Sequence, residues 1–410
     1  MKSIIINKEY AKLLLATFIT RFGDSIDTIA FSWLVYVMTG SRVLMGSIFV
    51  VSVLPNLIVL PFAGVIADTF NKKTITIIGD ILRGLTVASL AILFATNLLE
   101  VWHIFVFTIV NSIFESFADP ARGSMMQSLV ESNDYVKGSS YLGSSSQLGV
   151  LVGLAVAGVL ISVIGIWGTI LIDAFTFFAS AILISSMKFK DSRKESLKIQ
   201  TFKGFFKPII EGFKYLFTKK ILLIVVLLAA FINFLFAPYN ILRPVYVDEV
   251  LNIGVEGLSF LGIAIFSGMI VGGLVMGKIG KKINPIKAIS IGLVMMGLMY
   301  MLLGALEFFM LPHTIQIIYS IVVTFLLGFF TPIIQAPISA IVMKATDPEM
   351  IGRLSSVISV LALCAMPLGG AMVSFIGDSI TVTLLFTIMG LVGVLVSLMF
   401  WVKNHKVSVT

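Results

Sequence analysis

Thr20-Arg21-Phe22-Gly23-Asp24-Ser25-Ile26-Asp27-Thr28 interrupts an apolar run that extends from about Leu13 to Met38. Leu13-Leu14-Leu15 leads into it and Trp33-Leu34-Val35-Tyr36-Val37 leads out. Arg21, Asp24 and Asp27 are spaced by three. On a helix they form one stripe, each above the next. An ionised side chain at the centre of a bilayer costs about 2.5–3.5 kcal/mol on insertion scales. Such a stripe therefore faces protein or a water-filled space, and other segments of the chain must wall it in.

Those segments are plentiful. The 410 residues are 58% hydrophobic and only 12% charged, with a mean hydropathy of +1.06. An ordinary soluble domain carries about twice that charged fraction. Apolar runs recur along the whole length, at 10–38, 43–66, 74–95, 101–125, 139–164, 167–187, 221–246, 258–278, 286–306, 313–342, 354–376 and 380–402. The fold class they predict is an all-α membrane protein of about twelve transmembrane helices in two six-helix halves. The first run is too long for a cleavable signal and no A-x-A site follows it. Pro332 and Pro337 predict a kink or a tilt in the tenth span.

Charge sets the orientation. With the N-terminus in the cytoplasm, all of the 29 Lys and Arg except Arg21, Arg42 and Arg243 fall in cytoplasmic segments or at their junctions with the spans. Both termini are then inside. The net charge of +8 is a topological signature and not a nucleic-acid footprint. The expected organisation is residues 1–187 as one half, 188–220 as a cytoplasmic linker and 221–410 as the other half. Within the linker, Phe205, Phe206, Ile209, Ile210, Phe213, Leu216 and Phe217 recur at helical spacing among Lys203, Lys207, Glu211 and Lys214. That pattern predicts a basic amphipathic helix on the cytoplasmic leaflet, read as a tether rather than a calmodulin-like or lipid-sensing element.

The halves echo each other. Gly64-Val-Ile-Ala-Asp68-Thr-Phe-Asn-Lys72-Lys73 follows the second span, and Gly273-Leu-Val-Met-Gly277-Lys-Ile-Gly-Lys281-Lys282 follows the eighth. Phe117-Ala-Asp-Pro120 ends the fourth span, and Phe330-Thr-Pro332 lies in the tenth. Weak symmetry of this kind marks a transporter built from repeats.

The Gly64–Lys73 segment resembles the loop motif of the major facilitator superfamily, G-x-x-x-D-[RK]-x-G-R-[KR]. Gly64, Asp68, Lys72 and Lys73 match, whereas Thr69 replaces a cation and Asn71 a glycine. Asn can supply the left-handed conformation that Gly provides, so the same turn is expected at Asn71. Gly23-Asp24, Trp33-Leu-Val-Tyr36, Thr39-Gly-Ser41, Asp80-Ile-Leu-Arg83 and Asp119-Pro-Ala-Arg122 look like the macrolide-efflux-type drug:proton antiporters. Arg122 lies near the cytoplasmic end of the fourth span, not at mid-membrane as in the family. The fifth span has Leu154 where the antiporter motif has proline. The resemblance implies secondary export of amphipathic or cationic small molecules, with protons and the lipid bilayer as the other partners, no cofactor, and a monomer in the cell membrane. Export of a native metabolite, siderophore or lipid is the alternative within transport. A receptor or scaffold of the same fold is the alternative outside it.

The candidate site residues follow. Asp24 and Asp27 can carry a proton, Asp24 first, or can form a structural ion pair with Arg21. Glu115 can hold a cation or a proton. Asn233, Asn240 and Gln335 are polar cavity candidates in the second half. Tyr239 and Arg243, with Pro238, suggest a hinge on the outer side of the seventh span. Gly64, Asp68, Lys72, Lys73, Asp119 and Arg122 are assigned to gating, the last two in a network with loop residues. Asp173 reads as a helix-packing acid, and Gly149 and Gly153 as a face for close helix contact. His103, His313 and His405 belong to no metal or catalytic motif, and no Walker loop or nucleophile elbow occurs, so enzyme chemistry is not expected. The single Cys364 excludes an intramolecular disulfide framework.

Overall fold

Asn7 starts the first helix by accepting the backbone N–H groups of Glu9 and Tyr10 with its side chain. The helix runs as α1 (Lys8–Thr39) and ends at Gly40, whose φ of 60° closes it in the left-handed conformation. The structure, a computed structural model, describes residues 7–131, 134–189, 202–347 and 350–404. The side chains of 60–62, 64–69, 136, 202–209, 281, 351–352, 355–356, 359, 363 and 404 are not among those described. There follow α2 (Arg42–Thr69), α3 (Lys72–Ala95), α4 (Val101–Leu129), α5 (Tyr135–Ser185) and α6 (Phe202–Thr218). The second half of the chain holds α7 (Lys220–Val245), α8 (Glu256–Ile279), α9 (Pro285–Gly304), α10 (His313–Ala345), α11 (Ile351–Ile376) and α12 (Val382–Asn404). No strand occurs among the described residues.

α5 is two helical arms. Gly165 (φ 75°, ψ 171°) breaks it between the fifth and sixth apolar runs, in a conformation that only glycine adopts without strain. α10 stays helical through Pro332 and Pro337. Nine helices are long and apolar enough to cross a membrane, among the described residues, and large apolar side chains such as Ile78, Ile182, Phe260 and Leu395 are exposed on them. α1 is not in that set, because Arg21, Asp24 and Asp27 lie in its middle. The chain is an all-α membrane protein.

Asn71 corrects one expectation. It is not left-handed: at φ −65° and ψ 114° it caps α3, accepting the Thr74 N–H with its side-chain oxygen. The capping bond, not a glycine-like turn, is what Asn offers there. Asn284 does the same for α9, with Pro285 in the first turn.

The chain forms two compact units, Met1–Gly40 with Val51–Phe205, and Ser41–Val50 with Phe206–Thr410. In the first, α1 packs along α5, and α3 packs on α4 and α5. Tyr10, Leu13, Ala16, Met125, Met126 and Ile184 form a core at one end, where the Tyr10 hydroxyl donates to the Gly138 carbonyl at 2.6 Å.

In the second unit, α8 packs on α10 and α12 on α9, around Tyr239, Tyr246, Tyr300 and Phe386. The start of α2 belongs here. Arg42 donates to the carbonyls of Gly377 and Ile380 at 3.1 and 2.7 Å and pairs with Glu249 at 2.6 Å.

The linker helix α6 is docked on protein, not only tethered. Gly212 lies so close to the Arg353 carbonyl that a Cβ there would sit 2.5 Å from its oxygen, and Glu211 pairs with Arg353 at 2.9 Å. Leu216 is buried against Leu222, Leu354 and Val357, with Phe213 packed beside it. The Tyr215 hydroxyl accepts the Asp347 N–H at 2.9 Å, and Lys219 donates to the Asp347 carboxylate at 2.8 Å. That last bond holds Asp347 below the usual carboxylate range. Ile210 and Phe217 are exposed, so one apolar flank is left for lipid. The side chains of Phe205, Phe206 and Ile209 lie outside the described residues.

Candidate functional site: a buried charge cluster on α1, α3, α4 and α5

Small residues place the polar stripe of α1. Gly149 and Gly153, on the first arm of α5, lie against the carbonyls of Phe18 and Phe22, where an added Cβ would fall 2.4 and 2.5 Å from the oxygens. The predicted small-residue face thus meets α1 at the level of Arg21 and Ser25. From the other side, Gly23 lies against Asp173 and Thr176 of the second arm. α1 is gripped by both arms of α5, and its charges are turned toward α3 and α4.

Arg21 then reaches three carboxylates. Its Nη1 donates to Glu115 Oε1 at 2.8 Å and to Asp24 Oδ2 at 3.1 Å, and its Nη2 pairs with Asp119. Arg83 of α3 donates through Nη2 to Asp24 Oδ1 at 2.5 Å and through Nε to Asn111 Oδ1 at 2.8 Å. Its guanidinium lies 4.3 Å from the centre of the Phe177 ring. Arg122 of α4 pairs with Asp80 of α3 and lies 3.3 Å from Asp119, and Ser180 donates to Asp80 at 2.7 Å. The network runs without a gap from Asn111 through Arg83, Asp24, Arg21, Asp119 and Arg122 to Asp80 and Ser180.

Two acids stand outside it. Asp27 and Asp173 are buried, and each has a carboxyl oxygen with no hydrogen-bond partner among the described residues. Neither has an ion pair there. Asp173 keeps only a long contact with the Thr176 hydroxyl, at 3.4 Å.

The geometry changes the reading of several candidates. Asp24 is bound by two arginines, so its surroundings favour the ion-pair alternative. Among the described residues, Asp119 and Arg122 form a network with Arg21 on α1 and Asp80 on α3. The helix spacing that puts Asp119 one turn from Glu115 also aims both at Arg21. Lys73 donates to the Ser185 and Met187 carbonyls at 2.7 and 2.8 Å, closing the C-terminal end of α5 within the same unit. Lys72 opens α3, and the side chains of Gly64 and Asp68 lie outside the described residues. In the second unit, Asn233 donates to its own helix, at the Ala229 carbonyl. Asn240 is half-buried and Gln335 is exposed.

Asp80, Arg83 and Asn111 were missed as site residues. The signal was present: Asp80 and Arg83 are two charges one turn apart inside an apolar run, which the cost of burying charge marks in any span. Among the described residues no group of His, Cys, Asp and Glu has the geometry of a metal site.

The comparisons agree with this architecture. A family model described as Major Facilitator Superfamily matches residues 13–361 and 268–409. The macrolide efflux protein A of Streptococcus pyogenes is 26% identical over 354 residues, covering 86% of this chain and 85% of that protein. The multidrug efflux pump Tap of Mycolicibacterium fortuitum is 24% identical over 364 residues, covering 87% and 86%. Among solved structures, the nucleoside transporter NupG superposes with a TM-score of 0.77 at 12% identity, over 98% of this chain and 100% of that one. At that identity the likeness is one of fold alone. Matched by the family along nearly its whole length, and similar to curated proteins named for macrolide and multidrug efflux, the chain belongs to the major facilitator superfamily of membrane transporters.

Proposed function

We propose that this transporter exports amphipathic or cationic small molecules from the cell in exchange for protons. The observation that carries the reading is the charge balance of the cluster. Among the described residues, Asp24, Asp80, Glu115 and Asp119 pair with Arg21, Arg83 and Arg122, while Asp27 and Asp173 are buried with no cation paired to them. A carboxyl buried without a cation is least costly as the neutral acid or beside a bound cation. Both states are what an exchanger of protons for cationic cargo requires.

Roles divide by partner. Asp27 and Asp173, without cations, carry the proton. Glu115 and Asp119, with Arg21, form the more accessible part, at side-chain exposures of 23%, 35% and 24%. A cationic cargo competes with Arg21 for these two acids. Asp24, Arg83, Asp80 and Arg122 hold the frame in which that exchange happens. Alternating access by rocking of the two halves, 1–187 and 221–410 about the 188–220 linker, couples loading to release. The distribution of Lys and Arg supports a bacterial cytoplasmic membrane orientation with both termini inside.

The test is purified protein in liposomes with an imposed pH gradient and a panel of cationic, neutral and anionic amphipaths, read beside substrate-induced proton release in detergent. Uphill flux of cations that follows the gradient, with proton release on binding, is the expected result. Flux without proton release makes the protein a uniporter and removes the proton role from Asp27 and Asp173.

A further inference from the structure

The second unit contains the opposite of the acid-rich cluster. Arg243, in the last turn of α7, is 7% exposed and enters no ion pair among the described residues. Its Nε is buried without a hydrogen-bond acceptor. It is therefore a helix residue and not part of an outer loop. Tyr239, one turn earlier on α7, has its hydroxyl beside both Arg243 and Thr324 of α10. None of these contacts has hydrogen-bond geometry: Tyr239 Oη and Thr324 Oγ1 are, like Arg243 Nε, buried without a partner. Tyr239 is 1% exposed and Thr324 0%.

All three side chains can donate a hydrogen bond, and the guanidinium can only donate. Among the described residues no carboxylate pairs with the guanidinium. The rings of Tyr300 and Phe386 stand 6.3 and 6.1 Å from that of Tyr239. The Tyr300 hydroxyl is committed to the Leu235 carbonyl at 2.6 Å, and that of Tyr246 lies with Ser320 at 3.1 Å. A buried donor left unmet costs about 1–3 kcal/mol, and more when it is charged. A helix C-terminus offers a cation only a weak counter-field, about 0.3–1 kcal/mol in the usual case. An unpaired cation with an unmet Nε, beside two hydroxyls that also lack partners, is a recognition site by default when it lies in a span.

We infer that Arg243, Tyr239 and Thr324 form a binding site for a carboxylate group. Nε and one terminal guanidinium nitrogen take it side-on, in the planar bidentate pairing that arginine makes with carboxylates. The Tyr239 and Thr324 hydroxyls supply further donors. The carboxylate comes either from a free small anion or from an acid group on cargo. The second source extends the proposed substrate range from cations to zwitterions, and only this second source rests on the export reading.

The experiment is thermal unfolding of the purified full-length protein in detergent, titrated with sodium acetate, sodium benzoate or neutral benzamide at constant ionic strength. It reads binding and not transport, so it stands whether or not proton-coupled export is upheld. Wild type should gain stability with acetate or benzoate along a saturating curve, as mass action requires, and should gain none with benzamide. Arg243→Gln should lose the saturating shift, Arg243→Lys should keep a weakened one, and Tyr239→Phe should weaken it with the guanidinium intact. Equal midpoints for acetate and benzoate identify a free-anion site; tighter benzoate identifies the acid group of a larger aromatic cargo. Shifts of the same size in wild type and Arg243→Gln overturn the inference. So does the absence of a saturating shift in wild type, which would leave the donors to water.

Discussion

Arg83 on α3 donates to Asp24 on α1 at 2.5 Å, with the arginine side chain 2% exposed and the aspartate 17%. The acid that sequence favours as a proton carrier is thus half of a buried ion pair. Removing one partner of such a pair leaves the other charged and unmet, at a cost of about 3–5 kcal/mol. Asp24→Asn should therefore lower the melting temperature markedly and abolish transport of every cargo, cationic or neutral. The double variant Asp24→Asn/Arg83→Gln should recover part of the lost stability. Unchanged melting of Asp24→Asn in detergent would contradict the pairing.

Asp27 and Asp173 should behave in the opposite way. Asparagine imitates their neutral form, and neither has a cation to abandon. Asp27→Asn and Asp173→Asn should melt close to wild type, keep cargo binding and lose uphill export driven by the pH gradient. The number of protons released on cargo binding should fall in either variant. If both release as many as wild type, the proton resides elsewhere in the cluster.

Glu115 lies 2.8 Å from Arg21 and is partly accessible. Glu115→Gln keeps the shape and removes the charge. It should raise the half-saturating concentration of cationic cargo several-fold and leave neutral cargo nearly unchanged. Parallel flux assays with a cation and a neutral compound of similar shape separate this from a general loss of activity, which would argue for a structural role.

The Gly153–Phe22 contact sets where the cluster sits. A Cβ at residue 153 would fall 2.5 Å from the Phe22 carbonyl oxygen, and backbone cannot swing aside as a side chain can. Overpacking of this kind costs about 1–3 kcal/mol. Gly153→Val should force α1 from α5, lower the melting temperature and impair transport. Gly277→Val is the control: nothing lies within 4 Å of a Cβ there, so it should be silent.

The sequence by itself determined the membrane fold, because burying backbone in lipid admits few solutions and apolar runs of this length declare the helix. It determined the family, through short motifs such as Asp80-Ile-Leu-Arg83 that are local in the chain. It also located the polar stripe of α1, since the period of a helix places Arg21, Asp24 and Asp27 together without any knowledge of neighbours. Only the tertiary structure decided which charge meets which. Arg83 and Asp24 are 59 residues apart and Arg122 and Asp80 are 42 apart. Their pairing depends on how close α1, α3, α4 and α5 approach, which glycines such as Gly23 and Gly153 set through contacts that spacing along one helix does not encode. The same holds for Arg243. Composition displays a cation near the end of a span. Whether an acid reaches it is settled by packing, and among the described residues none does.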